Sequence, residues 1–285
     1  MNQPTISPII QAAELLRLHQ SGNLILVDVS NGKDAKANYE KRHLDGAFYV
    51  DMNAQLADIK DDLSNGGRHP LPSLKQFSET LSNLGVSIKS HVVIYDDKNG
   101  SNAAARFWWM LKSAGYQKVQ VLNGGFQEAE RVDFPINSNI EIPISAESYK
   151  IEDWQLPLAT ISEVEKASKD ENHLIIDVRD EERYTGKIEP IDLIAGHIPG
   201  AINVPFTRNL DENGLFLNSQ ELKMTYEKIF GGIKSDQIII HCGSGVTACH
   251  TLLAIAYAEL DIPKLYVGSW SEWSRNNKEL KTNLD

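Results

Sequence analysis

The chain has 285 residues, with 28 Lys and Arg against 39 Asp and Glu and a net charge of −11. That length suits two domains, each able to bury its own core. The negative balance disfavours general binding to nucleic acid or to a membrane surface, although a local arginine can still recognise an anion. No apolar stretch approaches a membrane span, and Met1 to Ile10 lacks the charged start and apolar core of a secretory signal. The two cysteines, Cys242 and Cys249, make neither a disulfide framework nor a metal motif, so no metal or other cofactor is expected and a reducing cytoplasm is the expected compartment.

In chain order, the first apolar run ending in an acid is Leu24-Ile25-Leu26-Val27-Asp28-Val29, a predicted strand, and a His43-Leu44-Asp45-Gly46-Ala47 turn follows it. His91 to Tyr95 is a second buried strand, Ala103 to Ser113 a helix, and Val119 to Leu122 a further strand leading into Asn123-Gly124-Gly125-Phe126. From about Phe134 to Trp154 the sequence loses its period and gains Pro135 and Pro143, which predicts a linker. The same order then recurs. Leu174 to Val178 is a strand, His197-Ile198-Pro199-Gly200-Ala201 the matching turn, and Gln237 to His241 the second buried strand. Ala248 to Leu260 is the helix, and Lys264 to Val267 the last strand before Gly268-Ser269-Trp270. The two sets of signals stay about 150 residues apart, the mark of a tandem duplication. Strands alternating with helices predict an α/β protein with a mainly parallel sheet and helices on both faces in each of two domains, residues 1–134 and 155–285, joined by residues 135–154.

The segment His241-Cys242-Gly243-Ser244-Gly245-Val246-Thr247-Ala248 carries the chemistry. It sets a cysteine on a glycine-bearing loop between a strand end and a helix start, where backbone N–H groups and the helix dipole favour an anion and hence the reactive thiolate. The bland alternative is a buried structural cysteine. The duplication supplies a control: where the second half has Cys242 the first has Asp96, which cannot do thiol chemistry. The first domain is therefore read as non-catalytic and the second as catalytic. His43 and His197 occur in both halves and are read as turn-fixing. Trp108, Trp109 and Met110 are read as helix core, Trp270 and Trp273 as an apolar wall on a late loop, and Cys249 as a buried small residue.

Together these features resemble the tandem-domain rhodanese and 3-mercaptopyruvate sulfurtransferase family. The resemblance covers nearly the whole chain and rests on the Cys242-Gly-Ser-Gly-Val-Thr-Ala loop, Asp177-Val178-Arg179, Arg183-Tyr184-x-Gly186, the Gly196 to Pro205 segment, Arg106 to Met110 and Gly268 to Trp273. It implies two rhodanese-like domains and a ping-pong transfer in which Cys242 takes a sulfane sulfur from 3-mercaptopyruvate or thiosulfate as a persulfide. The sulfur then passes to cyanide or a thiol, thioredoxin among the candidates. Gly243, Ser244, Gly245, Val246 and Thr247 would cradle the sulfur, with Ser244 bonding the departing group and Thr247 capping the helix. Arg183 would hold the donor's anionic group. His69, in Gly67-Arg68-His69-Pro70-Leu71-Pro72, would reach the sulfur site from the first half to polarise the donor or shuttle a proton, a surface loop histidine being the alternative. The aspartate some members pair with it falls at Asn53, with Asp51 nearby, which speaks against a Cys-His-Asp relay. For Arg179, a structural salt bridge and a substrate contact stand level.

The donor is not settled by these residues. Gly243 and Ser244 lack the basic charge of thiosulfate-preferring loops and follow the mercaptopyruvate pattern, yet the second arginine usual there is replaced by Ile191 after Glu189-Pro190, with Lys187 the partial substitute. Two other classes remain as alternatives. A cysteine phosphatase is disfavoured because Ala248 stands six residues after Cys242, where that chemistry needs an arginine. A non-catalytic sulfur-carrier or binding module is disfavoured by the intact loop and Arg183.

Overall fold

The computed structural model describes residues 6–19, 24–147 and 149–282; Met1 to Thr5, within the segment read for a leader, lie outside them. The chain forms two units. One comprises residues 1–56, 72–155 and 212–216, and the other residues 57–71, 156–211 and 217–285. Each unit thus borrows a short stretch from the other half of the sequence.

The first unit runs β1 (Ile9–Ile10), α1 (Ala12–Leu18), β2 (Leu24–Asp28), α2 (Ala35–Lys41), β3 (His43–Leu44), β4 (Ala47–Tyr49), α3 (Met52–Gln55), α4 (Leu74–Asn83), β5 (His91–Tyr95), α5 (Ala103–Ser113), β6 (Val119–Leu122), α6 (Gly125–Arg131) and β7 (Ile136–Asn137). Its sheet has the order β1-β6-β5-β2-β4 with every pairing parallel. The apolar runs that give β2 and β5 their continuous hydrophobicity are what a sheet covered on both faces requires. Ile10, Leu15, Leu26, Val93, Tyr95 and Leu122 form its core. Inside the span predicted as linker, β7 pairs antiparallel with β3, Ile136 opposite Leu44, so backbone pairing there supplies an order that side-chain period does not announce.

The second unit runs α7 (Ile161–Ala167), β8 (Leu174–Asp177), α8 (Glu181–Tyr184), β9 (Ile202–Asn203), α9 (Ser219–Phe230), β10 (Ile238–His241), α10 (Thr247–Tyr257), β11 (Lys264–Leu265) and α11 (Ser269–Trp273). Its sheet, β11-β10-β8-β9, is also parallel throughout. A single parallel bridge from Leu158 to Leu265 stands where the first unit has the β1–β6 pair. The sheet packs on Val164, Ile175, Ile198, Ile239, Tyr266 and Trp270. In α10 every residue from Ala248 to Ile255 is buried, and its small residues Ala248, Cys249, Thr251 and Ala254 suit close packing. Trp270 and Trp273 lie on α11, not on a loop, because the Gly268 turn starts a helix; both indoles are core.

The duplication is visible atom by atom in the two histidine turns. His43 stacks on Tyr39 and donates from Nδ1 to the Tyr39 carbonyl at 2.7 Å, while the Tyr39 hydroxyl donates to Ala47. His197 stacks on Tyr184 and donates to its carbonyl at 2.8 Å, while the Tyr184 hydroxyl donates to Ala201. Both histidines fix turns.

Candidate functional site

Cys242 follows β10 directly and is 1% exposed. Its carbonyl accepts from the Trp270 amide at 3.0 Å, and the Gly243 carbonyl accepts from the Ser271 amide at 2.9 Å. Both carbonyls are thereby tied to α11, and the Cys242 amide donates to Ser269 Oγ at 3.2 Å. The first turn of α10 adds N–H groups that have no acceptor within the helix. The residue capping α10 is Val246, with no side-chain cap, and Thr247 is the first helical residue. The expectation that Thr247 caps the helix is therefore corrected: the cap position falls one residue earlier, on a side chain that has no acceptor to offer. Gly245 has φ +73, and a Cβ there would sit 2.5 Å from the Val267 carbonyl, so only glycine fits. Cys249 is buried and its thiol donates to the Gly245 carbonyl at 3.3 Å.

The first unit shows what such a loop does when no sulfur is involved. Asp96, fully buried at the position of Cys242, accepts four backbone amides. Lys98 and Gly100 donate to Oδ1 at 2.9 and 2.8 Å, and Asn102 and Ala104 to Oδ2, each at 3.1 Å. The loop is an anion cradle filled by its own carboxylate.

Residues 57–71 belong to the second unit, which brings the Gly66 to His69 turn to α11. The Gly66 amide donates to Glu272 at 2.9 Å and the Arg68 amide to Ser271 Oγ at 3.0 Å. Gly67 has φ +75 and lies so close that a Cβ would stand 2.4 Å from the Gly268 carbonyl. His69 Nδ1 lies 2.8 Å from Ser244 Oγ, so imidazole and hydroxyl are coupled beside Cys242. Asp51 instead caps α3 through the Asn53 and Ala54 amides.

A network of buried charge underlies the loop. Arg179 is 2% exposed; it binds Asp177 through Nε and Nη2, reaches Glu189 at 3.2 Å, and lies 4.8 Å from the centre of the Trp270 ring. All three of its guanidinium nitrogens are bonded within the second unit, to Asp177, Glu189 and the Gly196 carbonyl. Burial opposes charge on Asp177, but Arg179 and His241 outweigh it and hold the carboxyl below its ordinary range. Burial likewise opposes charge on Glu189, and hydrogen bonds from Arg183 and the Asp192 amide prevail there. Burial pushes the His241 imidazole down, against the pull of the Asp177 carboxylate. Arg183 Nη2 donates to Glu189 at 2.7 Å and to Asp192 at 3.1 Å. Arg68 donates from Nη1 to Asp192, and Arg275 reaches the same carboxylate at 3.3 Å. Lys187 does not take the missing arginine's place: it is exposed and pairs with Glu182 at 2.7 Å. Ile191 is 55% exposed and contributes only its amide, to Glu189.

Arg68, Asp192, Glu189 and Ser271 carry the geometry of the site without having been assigned a role from the sequence. Arg68 stands in the Gly67 to Pro72 motif beside His69, and its guanidinium is the local signal of its place in the site. Asp192 has no local signal, because its partner Arg68 is 124 residues away.

The rhodanese-like domain model matches twice, over residues 11–131 and 160–276. The chain belongs to the rhodanese-like family of sulfurtransferases. This rhodanese-family chain is 34% identical over 271 residues to human 3-mercaptopyruvate sulfurtransferase, covering 92% of the chain and 89% of that protein. It is 34% identical over 247 residues to rat thiosulfate sulfurtransferase, covering 85% and 81%. The crystal structure of Escherichia coli SseA, a 3-mercaptopyruvate sulfotransferase, matches at a TM-score of 0.76 and 30% identity, over 94% of this chain and all of that one. Among the described residues no helix is long and apolar enough to cross a membrane.

Proposed function

We propose that the second unit of this rhodanese-family protein transfers sulfur by way of a Cys242 persulfide, with 3-mercaptopyruvate preferred over thiosulfate as donor. The Cys242 thiolate attacks the donor sulfur. The carbon–sulfur bond breaks, its electron pair stays on the departing pyruvate enolate, and that enolate takes up a proton. The persulfide left on Cys242 is then attacked at its outer sulfur by cyanide or a thiol. The S–S bond breaks, giving thiocyanate or a persulfide of the acceptor and restoring the thiolate. A dithiol protein of the thioredoxin type suits the second step, and a reducing compartment such as the cytoplasm suits a working thiol.

The observation that supports this reading is the place of the two loops: each follows a central strand of its sheet and leads into a buried helix, and where Asp96 accepts four backbone amides the second unit has Cys242. Amides that satisfy a carboxylate can satisfy a persulfide anion without a metal. Arg183 binds the donor's carboxylate, and Ser244, coupled to His69, protonates the departing enolate. The loop glycines Gly243 and Gly245, with Val246 and Thr247, shape the cradle. Asp96 makes the first unit non-catalytic.

Steady-state rates with each donor and cyanide as acceptor test the proposal. The expected kcat/KM is at least about tenfold higher for 3-mercaptopyruvate than for thiosulfate, and Cys242→Ser lowers both by at least about a thousandfold. A higher value for thiosulfate overturns the donor assignment. Turnover surviving in Cys242→Ser overturns the nucleophile.

A further inference from the structure

The second unit holds one of its own guanidinium groups between an acid and an aromatic ring. Arg179 donates from Nε and Nη2 to Asp177, and its guanidinium carbon lies 4.8 Å from the centre of the Trp270 ring. The first unit repeats the backbone of that arrangement. The Ser30 amide donates to Asp28 Oδ1 at 2.7 Å, as the Arg179 amide does to Asp177 Oδ1 at 3.0 Å. The Phe126 amide donates to the Asp96 carbonyl at 3.0 Å, as the Trp270 amide does to the Cys242 carbonyl, also at 3.0 Å. Asp28 thus corresponds to Asp177, Phe126 to Trp270 and Ser30 to Arg179. With serine at the arginine's position, Asp28 and Phe126 line a cavity of about 210 Å³ whose walls also include Ser30, Tyr39, Arg42 and Asp97. Its charge is one-sided. Asp28 is 4% exposed and meets neutral donors, the Ser30 amide and the hydroxyls of Ser30 and Tyr95. Asp97 keeps Oδ1 buried and without a hydrogen-bond partner among the described residues. Arg42 has its guanidinium carbon 5.0 Å from the centre of the Phe126 ring, but its charge is already matched by Glu130.

We propose that this cavity binds the guanidinium group of a small guanidino compound, which donates to the Asp28 carboxylate and lays its face on the Phe126 ring, as Arg179 does with Asp177 and Trp270. A planar guanidinium carries its N–H donors in the plane and a weakly hydrated face above it, so one group meets a carboxylate and a ring together. An ammonium is a more strongly hydrated point charge with no flat face to lay on the ring. Asp97, in the same wall, is a second acceptor for the remaining N–H groups. Burial pushes the Asp28 carboxyl up, and a cation placed against it acts the other way. All of these residues belong to the first unit, so the site stands independently of sulfur transfer at Cys242. It gives the half of the chain that lacks the cysteine a binding role of its own.

Calorimetric titration of the full chain with agmatine, with putrescine and with an acetylated and amidated Gly-Arg-Gly peptide tests the site. Agmatine is putrescine with one amine replaced by a guanidinium, so the pair isolates that group. One equivalent of agmatine is expected to bind with a Kd of about 1 mM or tighter, and putrescine at least about tenfold more weakly. Asp28→Asn weakens agmatine binding at least about tenfold, and Phe126→Leu at least about threefold. Ser30→Arg supplies the guanidinium from the chain itself, so it abolishes agmatine binding while the thermal unfolding midpoint stays at or above that of the wild type. The peptide binds no more tightly than agmatine, and a peptide at least about tenfold tighter overturns the small-molecule assignment. No saturable agmatine binding up to about 10 mM, or equal affinity for agmatine and putrescine, overturns the site. Wild-type agmatine affinity in Asp28→Asn, Phe126→Leu or Ser30→Arg overturns it as well. Should one of these variants fail to fold, the others decide by the same criteria.

Discussion

Asp192 gathers three guanidinium groups on one buried carboxylate, and Arg179 binds two buried acids at once. Charges this deep are tolerable only when every partner is present, because removal of one leaves the others desolvated and unpaired. Arg179→Gln leaves the buried Asp177 without its guanidinium partner, while Glu189 keeps Arg183, and the expected loss in urea unfolding is about 3–5 kcal/mol. A loss under about 1 kcal/mol would show that Asp177 does not depend on Arg179. At this scale the sequence was readable where chemistry is local. Cys242, its glycines and His69 announce themselves in short motifs. Asp192 does not, because the contact that joins it to Arg68 spans 124 positions.

Among the elements, the strand–loop–helix segments after β5 and β10 form one device used in two ways. In the first unit the cradle closes on Asp96, and Asp96→Ala leaves four buried amides without their acceptor. The expected cost to stability is at least about 2 kcal/mol, measured by denaturant unfolding. A neutral substitution would show that the amides find water instead. In the second unit the loop depends on the left-handed Gly245. Gly245→Ala drives a methyl into the Val267 carbonyl and is expected to cost about 1–3 kcal/mol and to lower kcat. Wild-type kcat in that variant would show that the loop tolerates the shift. The apolar runs of β2, β5, β8 and β10 and the helix at Ala103 to Ser113 were legible because burial on both faces leaves a continuous apolar signature. Strand β1 is two residues long and β7 carries no period, so pairing alone defines them. Helices α7 and α9 do carry a sequence signal, the capping boxes Thr160 with Glu163 and Asn218 with Glu221.

Across the molecule the duplication has diverged in charge as well as in chemistry. The second unit holds Asp177 and Glu189 below their ordinary values of 3.8 and 4.5 against the pull of burial, through arginine partners and hydrogen bonds. Their stabilisation is complete above pH 4.5 and is lost as pH falls through the lowered values. In the first unit burial raises Asp28 and Asp96, which have no arginine partners among the described residues. Their contribution has the opposite sign: it is present at low pH and lost as pH rises through the raised values. Amide hydrogen exchange on acidification below pH 4.5 should therefore release β8 and β10 before β2 and β5. The reverse order would contradict this assignment of the buried charges.

Mass spectrometry of the protein after incubation with 3-mercaptopyruvate shows whether Cys242 carries the sulfur. A gain of about 32 Da, one sulfur atom, is expected on the peptide containing Cys242. That gain is absent from the peptide containing Asp96 and from Cys242→Ser, and it is discharged by cyanide or a thiol. No added sulfur on Cys242 from either 3-mercaptopyruvate or thiosulfate would contradict it.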